Sequence, residues 1–132
     1  MSHQRRDVLK FAGAAALAGL VQPVFAKQKP LRVLILGGTG FIGPHFVDVL
    51  TAAGHRISLF NRGKRDPSVK PGIEYLVGDR NGPIDALKGH DWDVVIDDSG
   101  YKPKQVRLSG ELLKGHVQHY IFVSSKIGRA HV

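Results

Sequence analysis

Leu31-Arg32-Val33-Leu34-Ile35-Leu36-Gly37-Gly38-Thr39-Gly40-Phe41-Ile42-Gly43 is the stretch on which the fold turns. Its first six residues form a nearly continuous apolar run, broken only at Arg32. That pattern suits a strand buried on both faces of a parallel sheet rather than one with a solvated face. Glycines then end the strand. From Phe41 to Leu50 the apolar positions Phe41, Ile42, Phe46, Val47, Val49 and Leu50 recur at helical spacing, and Gly54 supplies a stop.

The same alternation continues outward. A second strand is expected over Arg56 to Phe60, a third over Ile73 to Val77, and a brief helix over Pro83 to Lys88. Val94-Val95-Ile96 reads as a fourth strand, closed by Asp97-Asp98-Ser99-Gly100. Gln105 to Leu113 carries Val106, Leu108, Leu112 and Leu113 on helical spacing before Gly115, and Tyr120-Ile121-Phe122-Val123 reads as a fifth strand. Strands alternating with short helical segments argue for βαβ units, a parallel sheet and right-handed crossovers. The fold class is therefore α/β: a Rossmann-type doubly wound parallel sheet, truncated after about the fifth strand.

Gly37, Gly40 and Gly43 form a G-x-x-G-x-x-G pattern between the first strand and the first helix, where each glycine has its own task. Gly37 makes the tight turn, Gly40 lets a pyrophosphate approach the backbone, and Gly43 lets the helix pack closely. The free N–H groups and positive dipole end of the helix hold the anion. Because a second strand follows about twenty residues later, the pattern points to a dinucleotide. The second strand ends Asn61-Arg62-Gly63-Lys64-Arg65, with no acid until Asp66. An acid there would hydrogen-bond a ribose 2′-hydroxyl, whereas a 2′-phosphate needs positive charge. This favours NADP, with NAD as the alternative.

These residues resemble the short-chain dehydrogenase/reductases, in the extended or atypical branch that includes sugar-nucleotide epimerases and dehydratases. The resemblance covers 31 to 125. It rests on Gly37 to Gly43, Gly78-Asp79-Arg80, Asp97-Asp98-Ser99-Gly100 and Tyr120-Ile121-Phe122-Val123-Ser124-Ser125. It implies cofactor contacts from Gly37, Thr39, Gly40, Phe41, Ile42 and Gly43 in the turn and from Asn61 and Arg62 after the second strand. It also implies Asp79 beside the adenine amino group with Arg80 next to it, and Ser99 and Gly100 near the ribose and pyrophosphate. The implied reaction passes hydride between nicotinamide and a sugar-nucleotide-like hydroxyl or carbonyl substrate.

In that family a Tyr four residues before a Lys carries the proton chemistry. Here Tyr75, Tyr101 and Tyr120 are followed at that spacing by Asp79, Gln105 and Ser124, so the pair is absent from this sequence. Ser125 aligns with the family's active-site Ser or Thr and is the catalytic candidate. The chain is therefore expected to bind a dinucleotide without turning over a substrate alone, as the N-terminal part of a longer enzyme. Leu59 to Gly63 and Asp97 to Tyr101 also resemble the atypical branch containing the chloroplast stem-loop-binding proteins. A non-catalytic dinucleotide-binding regulatory or RNA-binding protein is thus the alternative.

The chain has 132 residues, no cysteine and a formal charge of +8. Without cysteine there is no disulfide framework, thiolate zinc site or iron–sulfur cluster. The seven His residues show no ligand spacing, and no metal site is expected. Adjacent Asp97 and Asp98, leaving a strand on opposite faces, do not make a paired-carboxylate centre.

Residues 1–26 have the layout of a cleavable export signal: Arg5 and Arg6, an apolar run from Phe11 to Val21, Pro23, then Val24-Phe25-Ala26. Gln4 to Lys10 resembles the bacterial twin-arginine motif, which implies the twin-arginine translocation machinery as a partner and a periplasmic or otherwise exported location. The apolar run of 11 residues falls short of the roughly 20 that span a membrane, so no stable anchor is expected. Ile127 to Val132 resembles translated sequencing adaptor, which leaves 27–125 as the dinucleotide-binding domain and 126–132 as an artefact. Over 27–126, 15 Lys and Arg face 10 Asp and Glu, a net +5. That dispersed charge, an export signal and the lack of an aromatic-plus-basic stacking surface argue against nucleic acid. A homo-oligomer stays open.

Overall fold

The structure is a computed structural model of the chain that describes residues 28–63 and 70–124. The segment expected to be an export signal, residues 1–26, together with Lys64, Arg65, Ser125 and the expected adaptor-like tail, lies outside the described residues. Five strands make one sheet: β1 (Arg32–Leu36), β2 (Arg56–Asn61), β3 (Ile73–Val77), β4 (Trp92–Asp97) and β5 (Val117–Phe122), in the order β3-β2-β1-β4-β5. Every pairing is parallel. Among the described residues the helices are α1 (Gly43–Ala52) and α2 (Pro103–Leu113), with one 3₁₀ turn at Asp85–Leu87.

The run that nominated β1 as a central strand places it at the middle of the sheet. Val33, Leu34, Ile35 and Leu36 are all buried. Strand side chains alternate between faces, so β1 feeds two cores. Leu34 and Leu36 join Phe60, Leu87, Trp92, Val95 and Leu113 on the α2 side. Val33 and Ile35 join Val47, Ile57, Leu59 and Ile96 on the α1 side. Helices cover both faces, and the sheet is doubly wound.

Several boundaries differ from the sequence reading, each for a local reason. α1 starts at Gly43 and not at Phe41, because Phe41 and Ile42 belong to the glycine turn; Phe41 is 94% exposed. The expected helix over Pro83 to Lys88 shrinks to one 3₁₀ turn, since the Pro83 carbonyl is taken by the Asp79 N–H. α2 starts two residues early, at Pro103, where a proline costs no helical hydrogen bond. β4 and β5 reach back to Trp92 and Val117. β5 ends at Phe122, one residue short of the expected Val123, and its polar Gln118 and His119 are exposed.

Succession reverses across β1. β2 and β3 lie on one side of it, β4 and β5 on the other. Such a switch point opens a crevice at the C-terminal ends of the central strands, here after Leu36 and Asp97.

Candidate functional site

The glycine turn sits in that crevice, and its three glycines meet different surroundings. Gly37 has φ +121°, and a β-carbon there would lie 1.9 Å from Asp98 Oδ1. Its N–H donates to the Phe60 carbonyl at 2.9 Å, tying the turn to β2. At Gly43 a β-carbon would lie 2.4 Å from the Gly38 Cα and carbonyl carbon, so only glycine lets α1 start this close to the turn. At Gly40 a β-carbon would meet nothing within 4 Å. Gly37 and Gly43 are thus required by the protein's own packing, whereas Gly40 keeps space open.

α1 begins without a side-chain cap at Ile42 and without an acid in its first turn. Pro44 brings no N–H and the His45 N–H donates to the Ile42 carbonyl at 3.0 Å, so the helix offers an anion the Gly43 N–H and its positive dipole end.

A cleft of about 460 Å³ opens from this turn. Gly37, Thr39, Gly40, Phe41, Ile42, Asn61, Arg62, Asp79, Arg80 and Ser99 line it, together with Asn81, Asp98, Tyr101 and Gln105. Gly43 and Gly100 stand behind the lining; a β-carbon on Gly100 would lie 2.7 Å from both Phe122 and Val106. After β2, Asn61 Oδ1 accepts the Gly63 N–H at 2.8 Å, which bends the backbone at Arg62. After β3, Asp79 Oδ1 accepts the Asn81 N–H at 2.8 Å, and Gln105 Nε2 of α2 donates to Asn81 Oδ1 at 2.8 Å.

Arg80, expected beside the adenine, points its guanidinium elsewhere. Nη1 and Nη2 donate to Asp97 Oδ1 and Oδ2 at 2.6 and 2.8 Å, and further to Ser99 Oγ at 3.2 Å and Ser109 Oγ at 3.1 Å. The Tyr120 hydroxyl donates to Asp97 Oδ2 at 2.6 Å. Arg80 thus lines the cleft while its charge is matched in the floor beneath.

Electrostatics separates the two neighbouring aspartates. Burial alone would raise Asp97, but the hydrogen bonds from Arg80 and Tyr120 outweigh it and hold the carboxyl below the ordinary value. Burial raises Asp98, with only partial relief from the Gly38 N–H, and the Asp97 charge adds to the rise. Burial and then the bond to Asp97 push the Tyr120 hydroxyl up to about 12. Asp97 faces Arg80 and Asp98 faces the glycine turn, so the two carboxylates have different partners.

Sequence reasoning did not name Asn81, Asp98, Tyr101 or Gln105 as site residues. The usable signal was position: three of them lie just after β3 or β4, where a switch point gathers side chains.

The parts fit a dinucleotide's pyrophosphate: an open backbone cradle at Gly40 and an uncapped helix N-terminus, with Arg62 and Asp79 lining the same cleft. Comparison with known proteins agrees. Chloroplast stem-loop binding protein of 41 kDa b from Arabidopsis thaliana is 34% identical over 111 residues, 71% of this chain and 29% of that protein. UDP-glucuronic acid decarboxylase 2 from the same plant is 39% identical over 54 residues, 41% of this chain and 12% of that one. Among solved structures, a UDP-galactose 4-epimerase superposes with a TM-score of 0.60 at 24% identity, covering 72% of this chain and 38% of that one. This chain therefore spans well under half the length of these proteins. The NAD dependent epimerase/dehydratase family matches residues 33–124, and with the turn, sheet order and cleft described above, this chain belongs to that family.

Proposed function

We propose that this chain is the dinucleotide-binding part of an exported NAD(P)-dependent epimerase, dehydratase or reductase acting on a sugar-nucleotide-like hydroxyl or carbonyl substrate. The observation that carries the reading is the contrast within the glycine turn: two glycines close against protein atoms and one, Gly40, faces open space beside an uncapped helix N-terminus. A sugar-nucleotide substrate is supported by the UDP-sugar enzymes among the similar proteins. In this reading Gly40, Phe41 and Ile42 hold the pyrophosphate by backbone N–H groups, Asp79 meets the adenine, and Arg62 grips a 2′-phosphate, so NADP is preferred. The bound cofactor would supply hydride chemistry. Ser125 would orient the substrate oxygen, and the proton-transferring Tyr-x-x-x-Lys would come from beyond this sequence.

Residues 1–26 direct export by the twin-arginine route to the periplasm, and residues after Ser125 are adaptor-derived. Both proposals rest on sequence pattern. Isothermal titration of the chain with NADP+ and NAD+ tests the central one: micromolar binding of either is expected, and no binding of either below millimolar concentration would defeat it. A second reading, a non-catalytic RNA-binding protein, is favoured by the stem-loop binding relative. Binding of a structured RNA in place of either dinucleotide would establish it.

A further inference from the structure

Asp98 puts a carboxylate where the site is otherwise built for anions. It leaves the C-terminal end of β4, lines the cleft, and accepts the Gly38 N–H at a long 3.4 Å. Its Oδ1 lies so near Gly37 that a β-carbon there would be 1.9 Å away. The carboxylate therefore packs directly on the turn that would cradle a pyrophosphate.

No charged group pairs with it, and the Arg80 charge relieves it only weakly. Asp97, its neighbour on β4, is negative and committed to Arg80. From the loop after β3 come Arg80, whose Nη atoms face Asp97, Ser99 and Ser109, and Asp79, another acid of the cleft lining. Arg62 lines the cleft from the end of β2, and the turn before α1, which carries no charged side chain, gives Asp98 the Gly38 N–H. Among the described residues no Lys or Arg forms an ion pair with Asp98.

We propose that a dinucleotide enters this cleft together with one proton, taken up by the Asp98 carboxylate. This rests on the dinucleotide reading above. The pyrophosphate brings two negative charges to the helix N-terminus, and a half-buried carboxylate against the same turn opposes them with little solvent screening. Protonation removes the opposition and makes Asp98 a hydrogen-bond donor. Burial already favours the neutral carboxyl in the free protein. A ligand that favours the protonated form binds more tightly as pH falls, by up to about tenfold per pH unit between the free and bound pKa values.

Isothermal titration of the 132-residue chain with NAD+, whose phosphates stay ionised throughout, is run from pH 5.5 to 8.5 in buffers of different ionisation heat. Net uptake approaching one proton is expected between the free and bound pKa values, with affinity falling by about tenfold per pH unit over that interval. Asp98→Asn, which keeps the acceptor for Gly38, should bind at every pH with the wild-type low-pH affinity and take up no proton. Wild-type binding without proton uptake, or an Asp98→Asn variant that retains the slope, overturns the proposal and leaves the dinucleotide reading intact. Failure of NAD+ and NADP+ to bind at any pH removes both. If Asp98→Asn does not fold, the two-buffer measurement on the wild type decides alone.

Discussion

Removal of the Arg80 guanidinium should damage the fold before it damages the site. The Arg80 side chain is 9% exposed and the Asp97 side chain 0%, and they are joined by two hydrogen bonds of 2.6 and 2.8 Å. Arg80→Met leaves the Asp97 carboxylate buried with only the Tyr120 hydroxyl and the Ser99 N–H as donors. Breaking one side of a buried pair typically costs about 3–5 kcal/mol. The two remaining donors put the expected loss near the lower end, about 3 kcal/mol, a large share of the roughly 5–15 kcal/mol that stabilises a domain. Urea unfolding followed by far-ultraviolet circular dichroism measures it. Asp97→Asn should cost a similar amount, and the double variant should cost clearly less than the two together. Because Asp97 is held below its ordinary value, the stability it contributes is fully present above about pH 4 and lost as pH falls through the depressed folded value. The deficit of Arg80→Met should therefore shrink in acid. Single losses below about 1 kcal/mol, as for an exposed pair, or strict additivity in the double variant, would refute the assignment of Arg80 to the floor of the cleft.

Two glycine variants should separate packing from binding. Gly43→Ala forces a β-carbon to 2.4 Å from the Gly38 backbone and should cost about 2 kcal/mol or more, whereas Gly40→Ala, facing open space, should leave the urea midpoint unchanged and abolish dinucleotide binding. A matched loss of stability in both would contradict that division. Arg62→Ala should weaken NADP+ about tenfold or more and NAD+ by less than about twofold, since one charge-assisted contact of about 1.5–3 kcal/mol is lost; calorimetry with both cofactors decides, and equal losses would place the preference elsewhere. Tyr120, pushed up to about 12 by burial and then by Asp97, holds its proton more tightly folded than unfolded. Its contribution is fully present below about pH 10 and lost as pH rises toward 12. Tyr120→Phe should flatten the thermal midpoint across that interval, and an unchanged slope would show that Tyr120 titrates normally.

The sheet was legible because burial on both faces writes itself into sequence. Leu34 and Val33 need apolar neighbours on opposite sides, so β1 carries a run instead of an alternation, and β2 and β4 repeat it. β5 was legible only in part, since it pairs with β4 alone among the described strands and tolerates exposed Gln118 and His119. The glycine turn was legible because glycine has few other reasons to occur three times at that spacing. Arg80 was not. A bidentate pair across 17 residues of sequence leaves no periodic trace, and the Gly78-Asp79-Arg80 turn reads equally well with its arginine outward. The same holds for Asp98, whose distance from Gly37 is set by the lateral placement of β4 beside β1.

That pairing of β1 with β4 also explains how one cleft holds charges of both signs without collapsing on itself. The register sets Leu36 opposite Asp97, so the two loops that follow leave the sheet side by side. Ser99 Oγ can then donate to the Leu36 carbonyl at 2.9 Å, while Asp97 turns to Arg80 and Tyr120, and Arg80 Nη2 donates in turn to Ser109 Oγ. Of the buried side-chain polar atoms among the described residues, only Arg80 Nε lacks a partner. A floor so nearly satisfied has little to offer a ligand, and in the proposed function recognition passes to the rim: backbone N–H groups at the turn, Arg62 at one end, Asp98 against the first glycine. Substitutions in the floor should therefore move stability first and affinity second, and those on the rim should do the reverse. An Arg80 variant that lost NAD+ affinity at unchanged stability would break this ordering.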